Sequence, residues 1–127
     1  MGEAVPGQKP LLRALLKQGR KLDIQNPRAA PLGADFGRLG FRFIDELKAR
    51  GPEAERRLRE LDLLIDYRNA IGHGDEAKIA AVEKGTDVRS TKRSFQHHRA
   101  ILNHLAGSMD ELVASRMADL LGIARPW

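Results

Sequence analysis

The chain reads as an all-α protein, an antiparallel helical bundle closed by a long C-terminal helix, and three observations predict it. Apolar residues recur at three- and four-residue steps over most of the length. No segment alternates apolar and polar residues long enough to make a strand. Helix-starting and helix-stopping residues punctuate the periodic stretches. At 127 residues the chain is long enough to bury a single core. The expected organisation is a flexible lead-in over 1–9, one helical domain over 10–122 and a short tail over 123–127.

A first helix is predicted over 10–23, because Pro10 suits a first turn and Leu11, Leu12, Leu15, Leu16 and Leu22 follow with helical spacing. Pro27 and Pro31 make 26–33 an extended loop. Asp35 is placed to cap a second helix whose buried stripe is Phe36, Leu39, Phe43 and Leu47, ended by Gly51-Pro52. Gly37 and Gly40 within it mark close approach to a neighbour. From Glu53 a third helix buries Leu58, Leu61, Leu64, Ile65 and Ile71 and closes at Gly72 and Gly74. Asp75 caps a short helix stopped by Gly85, and 86–90 is a polar loop. Phe95, Leu102, Leu105, Met109, Leu112, Met117 and Leu120 then line a last helix from Ser90 or Thr91 to Leu121, with Gly122 at its end. That helix is longer than so small a domain needs, so it kinks at Gly107 or packs partly on a second copy of the chain.

Composition narrows the function classes. Lys and Arg number 22 against 17 Asp and Glu, a net charge of +5, which favours a polyanionic partner but is equally served by a solvated face. Residues 1–50 carry ten basic and five acidic side chains, so the positive field is expected mainly from the N-terminal third. The absence of cysteine excludes disulfides, thiolate zinc sites and thiol nucleophiles, and fits a reducing cytoplasm. No run is apolar enough to span a membrane and no secretory leader is evident, so a cytoplasmic protein without a membrane partner is expected.

The informative run is Asp66-Tyr67-Arg68-Asn69-Ala70-Ile71-Gly72-His73-Gly74-Asp75. Arg68 follows Ile65, Leu61 and Leu58 at helical steps, so its stem rises from an apolar stripe, where a charge needs an anionic partner or a functional reason. Asn69 and His73, four apart, share a helix face. Arg68 and His73, five apart, differ by about 140° on a regular helix and converge only if the helix ends or unwinds near Gly72. Arg93 and His98, and Arg99 and His104, repeat the same spacing, so spacing alone carries little. The first pair is distinguished by its polar neighbour and its glycine-flanked histidine at a helix end.

This run resembles the HEPN superfamily, and Arg68-Asn69-Ala70-Ile71-Gly72-His73 looks like its RiboL-PSP-HEPN branch. The likeness extends more weakly over about 35–121. It implies a HEPN-like helical bundle that forms a homodimer with a composite active site, and metal-independent cleavage of RNA without a cofactor. The settings it implies are toxin–antitoxin pairs or phage defence, with an antitoxin or larger complex as a further partner. The residue types suit the chemistry. RNA carries its own 2′-hydroxyl nucleophile, Arg68 can hold two phosphoryl oxygens, His73 can move a proton near neutrality, and Asn69 can orient either. Two histidines, one from each copy, supply the base and the acid that one cannot. Tyr67 and Asp75 are candidates for a supporting layer around this site, and Lys92, Arg93 and Arg99 for an RNA-tracking face.

Plainer readings stand beside these. His73 can serve the negative end of a helix dipole, Arg68 can pair with Asp62, Asp66 or Asp75, Tyr67 can be a core residue, and Asp75 a helix cap. Lys92, Arg93 and Arg99 can be a solvated surface. His97, His98 and His104 are not spaced for metal, and no metal site is expected. The alternative functions are a silent HEPN-like dimerisation or RNA-binding module, or a DNA-binding helix–turn–helix around 75–99.

Overall fold

A computed structural model describes residues 8–21 and 25–126, with the backbone alone of Gln8, Lys9, Leu12, Leu15 and Leu16. Among the described residues the chain is all-helical, without strands: α1 (Gln8–Lys17), α2 (Ala29–Gly37), α3 (Phe43–Ala49), α4 (Pro52–Gly72), α5 (Glu76–Gly85) and α6 (Lys92–Leu121). The all-α class read from the periodicity is the architecture observed. No helix of the described residues is long and apolar enough to cross a membrane.

The N-terminal half departs from expectation at its helix boundaries. Gln8 and Lys9 belong to α1 instead of the lead-in, and 1–7 lie outside the described residues. The predicted helix over 10–23 stops at Lys17, ahead of Gly19 at φ +71°; its predicted end at 22–23, with Leu22, also lies outside them. The stretch expected to be extended contains the start of α2. Pro31 is only its third residue, where an N–H would have no partner inside the helix anyway. Asp35 does not open a helix: it lies within α2 and accepts the Lys21 N–H at 2.7 Å, while α2 and α3 begin after Arg28 and Arg42. The single helix expected after it is two, because the chain turns at Gly40 with φ +79° between α2 and α3. Close approach falls on Gly33, not on Gly37 or Gly40: a Cβ there would lie 2.8 Å from Ile44 Cγ1.

From Gly51 onward the boundaries follow the capping residues. Pro52 opens α4. The N–H groups of Gly74 and Asp75 return to the carbonyls of Ile71 and Ala70 at 3.1 and 2.9 Å, with Gly74 at φ +64°. This is a Schellman closure, which needs a left-handed residue at that position. Asp75 caps α5 by accepting the Lys78 N–H at 3.0 Å, and Thr91 caps α6 through the Ser94 N–H at 3.2 Å. Gly122, at φ +60°, ends α6 while the Ile123 N–H reaches the Ala118 carbonyl.

The core is built by α3, α4 and α6. Phe43, Leu47, Ala54, Leu58, Leu105 and Leu112 form one buried cluster, with Phe36 stacked on Phe43 at 4.1 Å between ring centroids. Helix α4 is the hub, contacted by α2, α3, α5 and α6. It runs antiparallel to α6: Arg50, just before α4, meets Glu111 at 3.6 Å, whereas Glu60 near its middle meets His98 at 3.4 Å. With 30 residues against 21, α6 outruns α4 and continues over α3, where Arg116 Nε donates to Glu46 Oε2 at 2.9 Å. Part of the extra length thus packs on α3, and α6 passes through Gly107 as one helix.

Several stripe residues are not buried. Leu39, Ile71, Phe95 and Leu120 are exposed, while Val88, from the segment read as a polar loop, is buried. Substituting Leu47→Ala, at a position with no exposure, is expected to cost about 2–5 kcal/mol. Leu39→Ala should stay within about 0.5 kcal/mol. Urea denaturation of the two variants checks this, and equal midpoints would contradict the core described here.

Candidate functional site

The C-terminal half of α4 is flanked by two hollows. The larger, about 850 Å³, lies between α4, the 88–91 segment and the first half of α6. Its apolar lining includes Leu64, Ile71, Val88, Phe95 and Leu102, and its cations are Arg68, Arg89, Lys92 and Arg99. The second, about 600 Å³, lies between the end of α4 and α5, lined by Arg28, Asp66, Asn69, His73, Asp75 and Lys78, with three apolar residues.

The residues singled out from the sequence therefore divide. Asn69 and His73 share the second hollow, while Arg68 lines the first. The reason is local. His73 closes α4 with its N–H on the Asn69 carbonyl at 3.0 Å, in right-handed helical conformation. The helix keeps its regular turn to the end, the unwinding that would swing His73 toward Arg68 does not occur, and the two side chains diverge. His73 is exposed at the C-terminal end of α4.

Arg68 is exposed, not embedded in the apolar stripe, and Nη1 donates to Asn26 Oδ1 at 3.2 Å. None of the three carboxylates proposed for it is its partner. Asp62 Oδ1 accepts the Ala29 N–H at 3.0 Å, capping α2 from outside. Asp66 pairs with Arg28, and that hydrogen bond holds the guanidinium protonated even more firmly than usual. Asp75 caps α5 and meets Lys78 Nζ at 3.3 Å. The 26–29 segment is thus pinned along α4 at Asp62, Asp66 and Arg68, and brings Arg28 beside Asn69 and His73. Nothing in the sequence signalled this, because neither periodicity nor capping connects Arg28 to a residue 38 positions away.

Tyr67 is buried, and its hydroxyl donates to Glu83 Oε1 at 2.6 Å, tying α4 to α5. That bond, then burial, raises its pKa above the ordinary phenol value. Lys92 and Arg99 line the hollow that holds Arg68, whereas Arg93 lines a separate surface depression with Arg89 and His97. His98 is a buried interface residue: Nδ1 lies 2.7 Å from the Ser94 carbonyl oxygen and Nε2 3.4 Å from Glu60 Oε2. Among the described residues no three His, Asp or Glu side chains are grouped to hold a metal ion.

No protein-family model, curated protein or solved structure matches the chain. The second hollow sets three basic side chains, Arg28, His73 and Lys78, among two carboxylates. Asn69 beside His73 adds a neutral hydrogen-bonding group. Such a set can bind an anion and move a proton at His73.

The Asp75 carboxyl is held below its usual value of 3.8, first by the Lys78 N–H and then by the Lys78 side chain, against the opposing effect of burial. A depressed folded-state value means that its stabilising effect is present above the unfolded pKa and lost as pH falls through the folded one. Replacing Asp75→Ala should therefore lower Tm at neutral pH, with the gap to the parent closing below about pH 4. Thermal melts across pH check this; a gap unchanged in acid would remove the carboxylate's charge from the account.

Proposed function

We propose that the chain is a HEPN-type, metal-independent endoribonuclease that works as a homodimer. What supports the reading is the run Arg68-Asn69-Ala70-Ile71-Gly72-His73, which ends α4 with Asn69 and His73 on one accessible hollow and Arg68 accessible one step around the helix. In the reaction this implies, a histidine takes the proton of the RNA 2′-hydroxyl and the resulting oxyanion attacks the adjacent phosphorus. A second histidine protonates the departing 5′-oxygen. The products are a 2′,3′-cyclic phosphate and a 5′-hydroxyl. Arg68 stabilises the charge on the phosphoryl oxygens.

The divergence of Arg68 from His73 bears directly on this reading. One chain does not offer both groups to one phosphate, so a second copy must present its His73 toward Arg68. A cytoplasmic toxin or defence effector, restrained by an antitoxin or larger complex, is the setting that goes with such an activity. The same divergence favours a second reading, a HEPN-like module that dimerises or binds RNA without cutting it.

Purified protein incubated with labelled RNA in EDTA is expected to leave cyclic phosphate ends. Arg68→Ala and His73→Ala should each lose about 10²- to 10⁴-fold in rate. Mixing the two variants should restore little, because a mixed dimer keeps a single His73 where the reaction uses two, one as base and one as acid. Cleavage undiminished in both variants would sink the enzyme reading. RNA binding without cleavage by a demonstrated dimer would select the silent module.

A further inference from the structure

We propose that the larger hollow, between α4 and the first half of α6, is a docking groove for an acidic amphipathic helix of another protein. The first observation is apolar. Phe95 is 66% and Ile71 49% exposed, although both belong to stripes that helical periodicity assigns to the interior. Isolated exposed apolar residues are ordinary, but these two open on one cleft with Leu64, Val88 and Leu102. The α6 wall of the cleft runs from Lys92 to Asn103, about 18 Å at 1.5 Å per residue, which matches some three turns of a docked helix.

The second observation is the distribution of charge, and it selects the occupant. Arg68, Arg89, Lys92 and Arg99 line the cleft, and no Asp or Glu does. Among the described residues none of these four makes an ion pair. The acids of α4 and Glu83 of α5 are engaged elsewhere, and Asp87 lines the neighbouring depression with Arg89 and Arg93. Glu53 pairs with Arg56 and Glu55 with Arg59, Glu60 faces His98, Asp66 holds Arg28, and Glu83 accepts from Tyr67. Four like charges gathered around an apolar trough repel one another and call for an external countercharge. A single-headed anionic amphiphile would meet one of the four cations. A nucleic acid would meet the cations but leave the aliphatic floor of Leu64, Ile71 and Leu102 unused. A helix with apolar residues at i, i+3 or i+4, and i+7, flanked by Asp and Glu, satisfies floor and rim together.

The proposal stands without the ribonuclease reading, but it bears on it, since an occupant would cover Arg68 and deny it to a second copy. The test uses two labelled pools of designed helices, each roughly 18 residues long and sharing an apolar stripe of Leu, Ile, Val and Phe. The pools differ only in carrying Glu or Lys on the flanks. In anisotropy titrations against the purified chain, the acidic pool is expected to bind at least about tenfold more tightly than the basic one, and to weaken with added salt. Phe95→Asp should abolish that binding, and the double substitution Lys92→Glu with Arg99→Glu should reverse the preference. All three sites are exposed, and circular dichroism of the variants confirms that they fold.

Equal binding of the two pools, no binding of either, or acidic binding that survives Phe95→Asp overturns the proposal. An RNA that displaces the acidic pool and is itself insensitive to Phe95→Asp reassigns the cleft to nucleic acid. Self-association lost in Phe95→Asp and not competed by the acidic pool reassigns it to a second copy. RNA cleavage by the parent and by Arg68→Ala, scored separately in EDTA, leaves each of these results unchanged, so failure of one reading is not mistaken for failure of the other.

Discussion

Helix α4 must satisfy four neighbours at once, and the rest of the structure follows from how its residues are shared among them. Its apolar face, through Ala54 and Leu58, joins Phe43 and Leu47 of α3 to Leu105 and Leu112 of α6 in one buried cluster. Burying a leucine side chain contributes roughly 1.5–3 kcal/mol, so a handful of such residues fixes the antiparallel course of α4 and α6. That course sets the start of α6 against the end of α4 and brings the 88–91 segment beside Tyr67 and Arg68. The larger hollow is therefore a product of core packing. Another face of α4 carries Asp62 and Asp66, whose carboxylates hold the 26–29 segment in place.

Features decided by local backbone chemistry were legible in the sequence. Asp75 as a cap, α5 ending at Gly85, Gly122 as a stop and the closure of α4 near Gly72 and Gly74 each depend on a few neighbouring residues, and Gly74 and Gly122 on the left-handed φ that glycine tolerates. Features decided by which helix lies over which were not. Phe95 and Val88 exchange their expected places because only the packing of α6 on α4 determines which side of the 88–95 region is covered. Pro31 suggested extended chain, yet proline is equally at home in a first turn, and the partner that makes this a helix start, Asp62, is 33 residues from Ala29.

The candidate site shows the same division. Asn69 and His73 share a hollow because a regular helix places residues four apart on one face, which spacing alone predicts. The position of Arg68 relative to His73 turned on how α4 ends. A helix that unwound at Gly72 would have let them converge. A Schellman closure keeps right-handed geometry through His73 and confines the left-handed residue to Gly74, so the five-residue offset keeps its angular cost. Glycines on both sides of a histidine permit either ending, and the sequence alone does not choose between them.

Charge has a similar history. Composition places the surplus of basic residues in the N-terminal third, and from counts alone the positive surface belongs there. Folding redistributes it. Within the middle of the chain, where acids outnumber bases, most acidic side chains are drawn into caps and pairs on α4 and α5, while Arg68 and Arg89 are left facing the cleft that Lys92 and Arg99 complete. A segment that is acidic by count thus presents a basic face. The recognition surface of a small helical protein is set by which charges the fold leaves unpaired, and net charge by itself does not locate it.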